Sequence, residues 1–542
     1  MNTEQTSTKQ ANQAVSNQSA AATHQLMAIG SALTVVAFVL FTVINPDYAG
    51  SVFNSARDFI SSELDWYYIA IMNFYLLFAV LLAFSKYGNI RLGANHEKPE
   101  FSYFAWFSML FGAGIGIGIL FWSIAEPITH FQNNPFISAE QSMTTEAAQI
   151  AMRISIFHWG IHGWALYAVL GMTFAYFSYR KGLPLSIRSA LYPLFGERIY
   201  GPIGFIADLL AVLGTVFGIA TSLGLGAQQM NAGISYLLGF DISVTTQILL
   251  ISVISVVATL SVLSGINRGI RILSEMNMQL TLLILALFFI FGPTLYLISS
   301  IALNSFDYII NSPALGLWID PDRDSQWQSW WTIFYWGWWI AWSPFTAMFI
   351  ARISRGRTIR EFILGVLLAP TVLTILWITI FGNSALHIEL FGDGGVTAAV
   401  NADRTTALFK TIELLDLGVL LTGLMATICT VMLLTYFVTS ADSATLIICT
   451  LISMGNDEPT SRLRIFWGVA IGAVAAVLLY SGGLEALQTA SIAAALPFSF
   501  VLILATYGLC KSLYQEGSEG APEQVPTPAS EQSITGSKHL NQ

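Results

Sequence analysis

The sequence predicts an all-α polytopic membrane protein with twelve transmembrane helices, and three observations carry the prediction. Only 10% of the 542 residues are charged, against about 25% in an ordinary soluble domain. The apolar residues lie in blocks of about 20, enough for a helix rising 1.5 Å per residue to cross a hydrocarbon core of about 30 Å. The Lys and Arg residues gather on one side of the resulting topology, as they do in cytoplasmic loops. A closed barrel would need alternating strands of about ten residues instead of these long uninterrupted runs.

Residues 1–24 are rich in Gln, Asn, Ser, Thr and Ala, with Lys9 as their one Lys or Arg. They are expected to form a disordered cytoplasmic terminus without a cleavable signal. Spans follow at 25–45, 66–85, 101–124, 152–177, 204–237, 244–264, 278–301, 327–351, 359–382, 413–450, 463–482 and 489–511, within a transmembrane domain of 25–511. With the N-terminus inside, 18 of the 23 Lys and Arg fall on the cytoplasmic side. Only Arg57, Arg153, Arg323, Arg404 and Lys410 fall outside, so both termini are placed in the cytoplasm. The segment 512–542, rich in Glu, Ser, Pro and Gln, reads as a disordered cytoplasmic tail. The net charge of -9 carries little weight, because orientation depends on Lys and Arg by side. No nucleic-acid partner is expected. Cys429, Cys449 and Cys510 lack metal-ligand spacing and read as small core residues.

Two blocks of five helices, 101–301 and 327–511, each begin with an interruption. The first is the glycine run from Gly112 to Gly118; the second is Pro344 in Trp342-Ser343-Pro344-Phe345. Interrupted segments at corresponding places in two halves point to an inverted-repeat transporter, whose broken helices present backbone carbonyls and dipole ends near the midplane. Close packing through G-x-x-x-G spacing is the alternative for the glycines. Four glycines at alternate positions, however, weaken a helix by about 1 kcal/mol each, which favours an unwound segment facing a ligand.

Trp330, Trp331, Tyr335, Trp336, Trp338, Trp339 and Trp342 crowd into thirteen residues, and Trp159, Trp164 and Tyr167 lie in the fourth span. An interfacial belt accounts for the tryptophans at the start of the eighth span. It does not account for Trp339 and Trp342, which lie near half depth. Deep rings with no partner acid suggest a box for a quaternary ammonium, each ring contributing about 0.5–2 kcal/mol when desolvated. The alternative is an aromatic core cluster.

Thr439 and Ser440 lie mid-span beside Asp442 and Ser443. Their hydroxyls either back-bond to the helix or, opposite freed carbonyls, form an oxygen cage for a hard cation such as sodium. Asp442 is either a functional intramembrane acid or a structural hydrogen bonder. His158 and His162 have metal-pair spacing, but no Glu or Cys nearby completes a ligand set, so a structural or pore-lining role is expected. The bases from Arg352 to Arg360 are first an orientation signal, with cytoplasmic gating as a second role. No residue set expected of an enzyme is visible.

These residues carry a resemblance. Gly114-Ile115-Gly116-Ile117-Gly118 followed by Glu126-Pro127, Phe157-His158-Trp159 through His162 and Trp164 to Tyr167, and Trp336-Gly337-Trp338-Trp339-Ile340-Ala341-Trp342-Ser343-Pro344-Phe345 with Ala351 to Arg357 together resemble the betaine/choline/carnitine transporter family. The similarity covers about 25–510. It implies a LeuT-type inverted repeat of five plus five helices with two extra N-terminal helices, a homotrimer, and trimethylammonium or dimethylsulfonium substrates.

By that resemblance the substrate box is Trp159, Trp164, Tyr167 and Trp339, with Trp342 beside it and Ser222 facing the pathway. A sodium ion would take carbonyls of Gly112, Ile115 and Tyr436 and hydroxyls of Thr439 and Ser440. Thr215 and Phe345 are the candidates for a second sodium, but Ile219 stands where a second hydroxyl is needed. Proton-coupled choline members tend to have Asp where this chain has Gly118, which favours a zwitterion here. The acidic tail is unlike the long basic C-terminal helix of osmosensing members.

The expectation is therefore sodium-coupled import of a betaine-type compatible solute, with no cofactor besides the coupling sodium. A dimethylsulfoniopropionate, carnitine or choline carrier, or a sodium-independent exchanger, is the alternative.

Overall fold

The computed structural model describes residues 25–519 except 115, 264–266, 323–324, 454 and 456–458. Gly112 is described as helical backbone, while Ile115 and the segments 1–24 and 520–542 lie outside the described residues. Among the described residues the chain is helical, with one isolated bridge between Arg91 and Thr358 and no strand. Among the described residues, eight helices are long and apolar enough to cross a membrane.

Helices α1 (Gln25–Ile44) and α3 (Asp65–Phe84) are the first two predicted spans. Between them lies α2 (Pro46–Glu63), which the hydropathy blocks did not reveal. It opens on a proline, tolerated in the first helical turn because the missing N–H has no partner there anyway. The third predicted span is two helices, α4 (Tyr103–Gly114) and α5 (Ile117–Gln132), parted within the glycine run as expected. The fourth is also two, α6 (Thr145–Trp159) and α7 (Ile161–Ala175), parted at Gly160, and this break was not foreseen.

After two single turns, α8 (Ile187–Ala190) and α9 (Tyr192–Phe195), come α10 (Pro202–Leu238), α11 (Val244–Leu263) and α12 (Asn267–Phe291). The predicted span 278–301 is wrong in extent. Gly292 and Pro293 end α12, because proline cannot continue a helical hydrogen-bond ladder, and a separate helix α13 (Thr294–Leu317) follows.

The tryptophan-rich α14 (Phe334–Arg352) enters through a π-turn at Ser329–Ile333 and runs through Pro344 without interruption. The expected break at Pro344 is therefore absent. Proline leaves the carbonyl four residues earlier without its usual donor, and here the Ser343 hydroxyl donates to the Ile340 carbonyl at 2.7 Å. The remaining helices are α15 (Ile359–Phe391), α16 (Val396–Ala402), α17 (Ala407–Leu414), α18 (Gly418–Ile452) and α19 (Ser461–Glu519). Helix α15 opens with a capping box between Thr358 and Glu361. Helix α19 bends at Gly482 and Gly483 and covers the last two predicted spans. It continues through 512–519, which the composition had assigned to a disordered tail. There Glu516 pairs with Arg180 and, at 2.8 Å, with Lys181.

Helix α14 packs against α7, α10 and α19, while α5 packs against α6 and α15. An apolar helix enclosed on all sides belongs in the interior, and α14 buries nearly every residue. Helix α11 instead exposes Leu249, Val253, Val256 and Leu260, as suits contact with lipid tails. Of the cysteines, Cys429 and Cys449 are buried as expected, but Cys510 is exposed.

The basic segment after α14 does more than orient the chain. Arg357 lies 4.0 Å from the Trp106 ring and donates to the Phe101 carbonyl, while Arg355 pairs with Glu97 and Arg360 donates to the Ala83 carbonyl. Arg188, counted among the loop bases, is fully buried against Asp208 with Nε to Oδ2 at 2.5 Å. Removing one member strands the other charge, at a cost of about 3–5 kcal/mol. Asp208→Ala should therefore lower thermal stability sharply in detergent. Joint replacement by Arg188→Met and Asp208→Leu should cost less, as melting curves of the three proteins would show.

Candidate functional site

Helices α4, α5, α6, α7, α10, α12, α14 and α18 line a cavity of about 1120 Å3. It runs from Trp159, Tyr167, Ser222, Trp338, Trp339 and Trp342 to Phe101, Phe104, Ala105 and Glu275 at its mouth. Among the described residues lining it there is no Lys, Arg or His, and Glu275 is the one charged side chain. The mouth lies next to the segments carrying Lys98, Arg268 and Arg271.

Of the six residues proposed from sequence for the substrate, five line this cavity: Trp159, Tyr167, Trp339, Trp342 and Ser222. Trp164 stands behind them. Its ring meets Trp339 at 5.7 Å and Tyr167 edge-on at 5.6 Å. Trp339 is the hub, with Tyr167 at 4.9 Å and Trp159 at 6.1 Å between ring centroids. Such tilted and edge-to-face contacts are preferred aromatic geometries. Trp338 also faces the cavity and was not singled out from the sequence.

The rings are oriented through their indole N–H groups. Trp339 Nε1 donates to the His158 carbonyl at 3.0 Å, the carbonyl next to the Gly160 break. Trp342 and Trp338 both donate to the Gly218 carbonyl on α10, at 2.7 and 3.2 Å. Absent side chains provide the space: a Cβ on Gly163 would lie 2.4 Å from the Trp339 ring, and one on Gly118 would lie 2.3 Å from Trp338. In this conformation Gly118 is thus required for packing whatever the substrate.

The expectation that these rings have no partner acid is overturned. Trp159 Nε1 donates to Tyr335 Oη at 3.1 Å and to Glu126 Oε2 at 3.3 Å. Glu126 also accepts from the Tyr335 hydroxyl and lies 2.6 Å from His158 Nδ1. The expectation that no Glu accompanies His158 fails for the same reason. Its companions are Glu126 and His130, whereas His162 stacks on Trp336 at 5.8 Å. Glu126 is 32 residues from His158, and only the packing of α5 on α6 makes them neighbours. The one sequence signal was an acid four residues before a histidine inside an apolar helix.

Tyr436, Thr439 and Ser440, proposed as sodium ligands, all line the cavity. The Thr439 hydroxyl donates back to the Thr435 and Tyr436 carbonyls at 3.0 and 3.1 Å and accepts from Asn277 at 3.1 Å. Thr215 is buried, donates to the Ala211 carbonyl at 2.7 Å, and does not face the cavity. Phe345 does face it, edge-on to Trp342 at 5.1 Å. Asp442 lies off the cavity and accepts from Ser261 at 2.7 Å.

Helix α5 begins at the cavity, where its N-cap Gly116 and its first residues Ile117 and Gly118 form part of the wall, and Gly116 has no side chain with which to cap the helix. The first amides of a helix lack intrahelical acceptors and attract anions. One cavity without Lys, Arg or His among its described lining residues thus combines aromatic faces for a cation with a helix N-terminus for an anion.

Residues 26–518 match the model of the BCCT family, described as betaine/carnitine/choline family transporters. The chain is 43% identical over 488 residues to a probable glycine betaine transporter of Desulfitobacterium hafniense, covering 90% of this chain and 96% of that protein. It is also 43% identical to a glycine betaine transporter of Bacillus subtilis, with 90% and 94% coverage. A high-affinity choline transport protein of Escherichia coli is 40% identical over 90% of this chain and 71% of its own length.

The Gly163 contact generates a test. Gly163→Val should displace Trp339 and weaken binding of a trimethylammonium compound by tenfold or more, as equilibrium binding with labelled ligand would show. Retained affinity would mean that Trp339 does not hold the ligand.

Proposed function

Because the chain belongs to the betaine/carnitine/choline transporter family, we propose that it carries a glycine betaine-type zwitterion into the cell, coupled to sodium, by alternating access. The observation that carries this reading is the aromatic cavity, with no Lys, Arg or His among its described lining residues and with a helix N-terminus in its wall. The rings take the trimethylammonium group, which offers no hydrogen bond. The first amides of α5 take the carboxylate, as half-helix ends do in transporters. Choline has no carboxylate and would leave those amides without an anionic partner. The choline relative at 40% identity nevertheless makes choline the second reading. Carnitine, dimethylsulfoniopropionate and sodium-independent exchange complete the alternatives.

In this reading the chain has twelve spans in a LeuT-type arrangement of two five-helix repeats after two N-terminal helices, assembles as a trimer, and has both termini inside. The base-rich end is then cytoplasmic, and the cavity opening there is inward-facing. Sodium would bind beside Thr439 and Ser440. Back-bonding uses the Thr439 hydroxyl proton and leaves its oxygen lone pairs, so the hydroxyl can ligate once Asn277 withdraws. The buried back-bonded Thr215 and the apolar Ile219 argue for one sodium rather than two. One sodium entering down about 100 mV gains about 2.3 kcal/mol, and a tenfold gradient adds about 1.4 kcal/mol. Together they support about 500-fold accumulation of a net-neutral solute.

Reconstituted protein should take up labelled glycine betaine only with an inward sodium gradient, and unlabelled betaine should compete better than choline. Uptake indifferent to sodium would refute the coupling, and stronger competition by choline would reverse the substrate order. Trp339→Ala should weaken betaine binding by about 2- to 30-fold, the equivalent of one desolvated cation–π contact. Thr439→Ala should abolish the sodium dependence.

A further inference from the structure

We propose that Glu126, His130 and His158 form a binding site for a transition-metal dication of the Zn2+ class, outside the solute cavity. Among the described residues, this is the one grouping of three His, Cys, Asp or Glu side chains whose donor atoms all lie within 4.8 Å of one another. All three are fully buried. Two come from α5 and one from α6, so a bound ion would tie those helices together.

The donor atoms are arranged as ligands, with the opposite end of two of them held by neighbours. Glu126 Oε1 faces both imidazoles, 2.6 Å from His158 Nδ1 and 3.5 Å from His130 Nε2. The other carboxylate oxygen is engaged by Tyr335 and Trp159. His158 Nε2 is bonded to the Thr332 hydroxyl at 3.0 Å, leaving Nδ1 toward the cluster. For Glu126 and His158 this is the pattern in which the far side of a ligand is fixed by a second hydrogen bond. His130 is the under-satisfied member: it is fully buried, its Nδ1 has no hydrogen-bond partner among the described residues, and its Nε2 has only the 3.5 Å contact with Glu126. Burying polar groups without partners is costly, and coordination would satisfy Nε2.

Two imidazoles and a carboxylate form a recurrent zinc ligand set that leaves one position for water or another ligand. Imidazole donors favour Zn2+, Ni2+ or Cu2+, whereas Mg2+ and Ca2+ require more oxygen ligands. A dication would also offset the buried carboxylate, which among the described residues has ion-pair contacts only with the two histidines. The Arg404 guanidinium lies over the ring of Trp331, which packs on His130. Because Glu126 also holds Trp159, a wall of the cavity, metal binding would fix that ring and slow transport.

Equilibrium dialysis of the full-length protein in detergent against ZnCl2, with metal quantified per chain, tests the assignment and allows for slow entry to an enclosed site. The wild type should retain one more zinc than His130→Gln and show no comparable uptake of Mg2+. Thr332→Val, which keeps all three ligands, should weaken zinc binding by about 10- to 100-fold. His96→Gln, at an exposed histidine, should bind as the wild type does. Zinc should also inhibit uptake by the wild type but not by His130→Gln. Equal zinc content in folded wild type and His130→Gln, or none in the wild type, would overturn the proposal. None of these outcomes depends on which solute or coupling ion the protein uses.

Discussion

A backbone group freed from its helix inside a bilayer has no water to turn to, and this constraint governs how the molecule is built. Breaks survive only where protein supplies the partner or where they line a cavity. At the Gly160 break, the Ile161 amide donates to the Tyr308 hydroxyl at 2.8 Å, a contact that brings α13 over the junction of α6 and α7. At Pro344, Ser343 closes the ladder from within, so α14 stays continuous and presents its tryptophans on a rigid rod. At the glycine run the N-terminus of α5, with Gly116 as its N-cap, lies in the cavity wall.

The aromatic site follows from these choices. The His158 carbonyl beside the Gly160 break holds Trp339, and the Gly218 carbonyl holds Trp338 and Trp342. Each indole is fixed at its polar edge, leaving its face for packing or for a cation. Low charge, read at first as a sign of a bilayer, is therefore also part of the chemistry of the cavity. A quaternary ammonium can be held by faces of rings, without the desolvation cost of a buried carboxylate in direct contact. The Glu126 carboxylate orients Trp159 and Tyr335 from behind.

How much of this was legible in the sequence varies with the range of the interaction. Long apolar blocks identified most of the spans because membrane thickness sets their length, and glycine spacing located the break between α4 and α5 because propensity acts locally. The same local reasoning failed at Pro344, where one neighbouring hydroxyl offset the lost hydrogen bond. It also missed α2, whose polar and apolar residues alternate too closely for a hydropathy block. The Glu126, His130 and His158 cluster was invisible for a different reason, since its members share no helix face until α5 packs on α6.

The sequence by itself determined the helical membrane class, the crowding of deep aromatic residues and the family to which they point, because composition, block length and short motifs register those properties directly. Tertiary structure alone decided which rings face the cavity, that Trp164 only supports them, that Thr439 is back-bonded in this conformation and that Glu126 stands behind Trp159. The physical reason is that burial and hydrogen-bond partners depend on what an adjacent helix places opposite a residue. In a bundle where nearly every span is apolar on all sides, periodicity does not specify which face that will be.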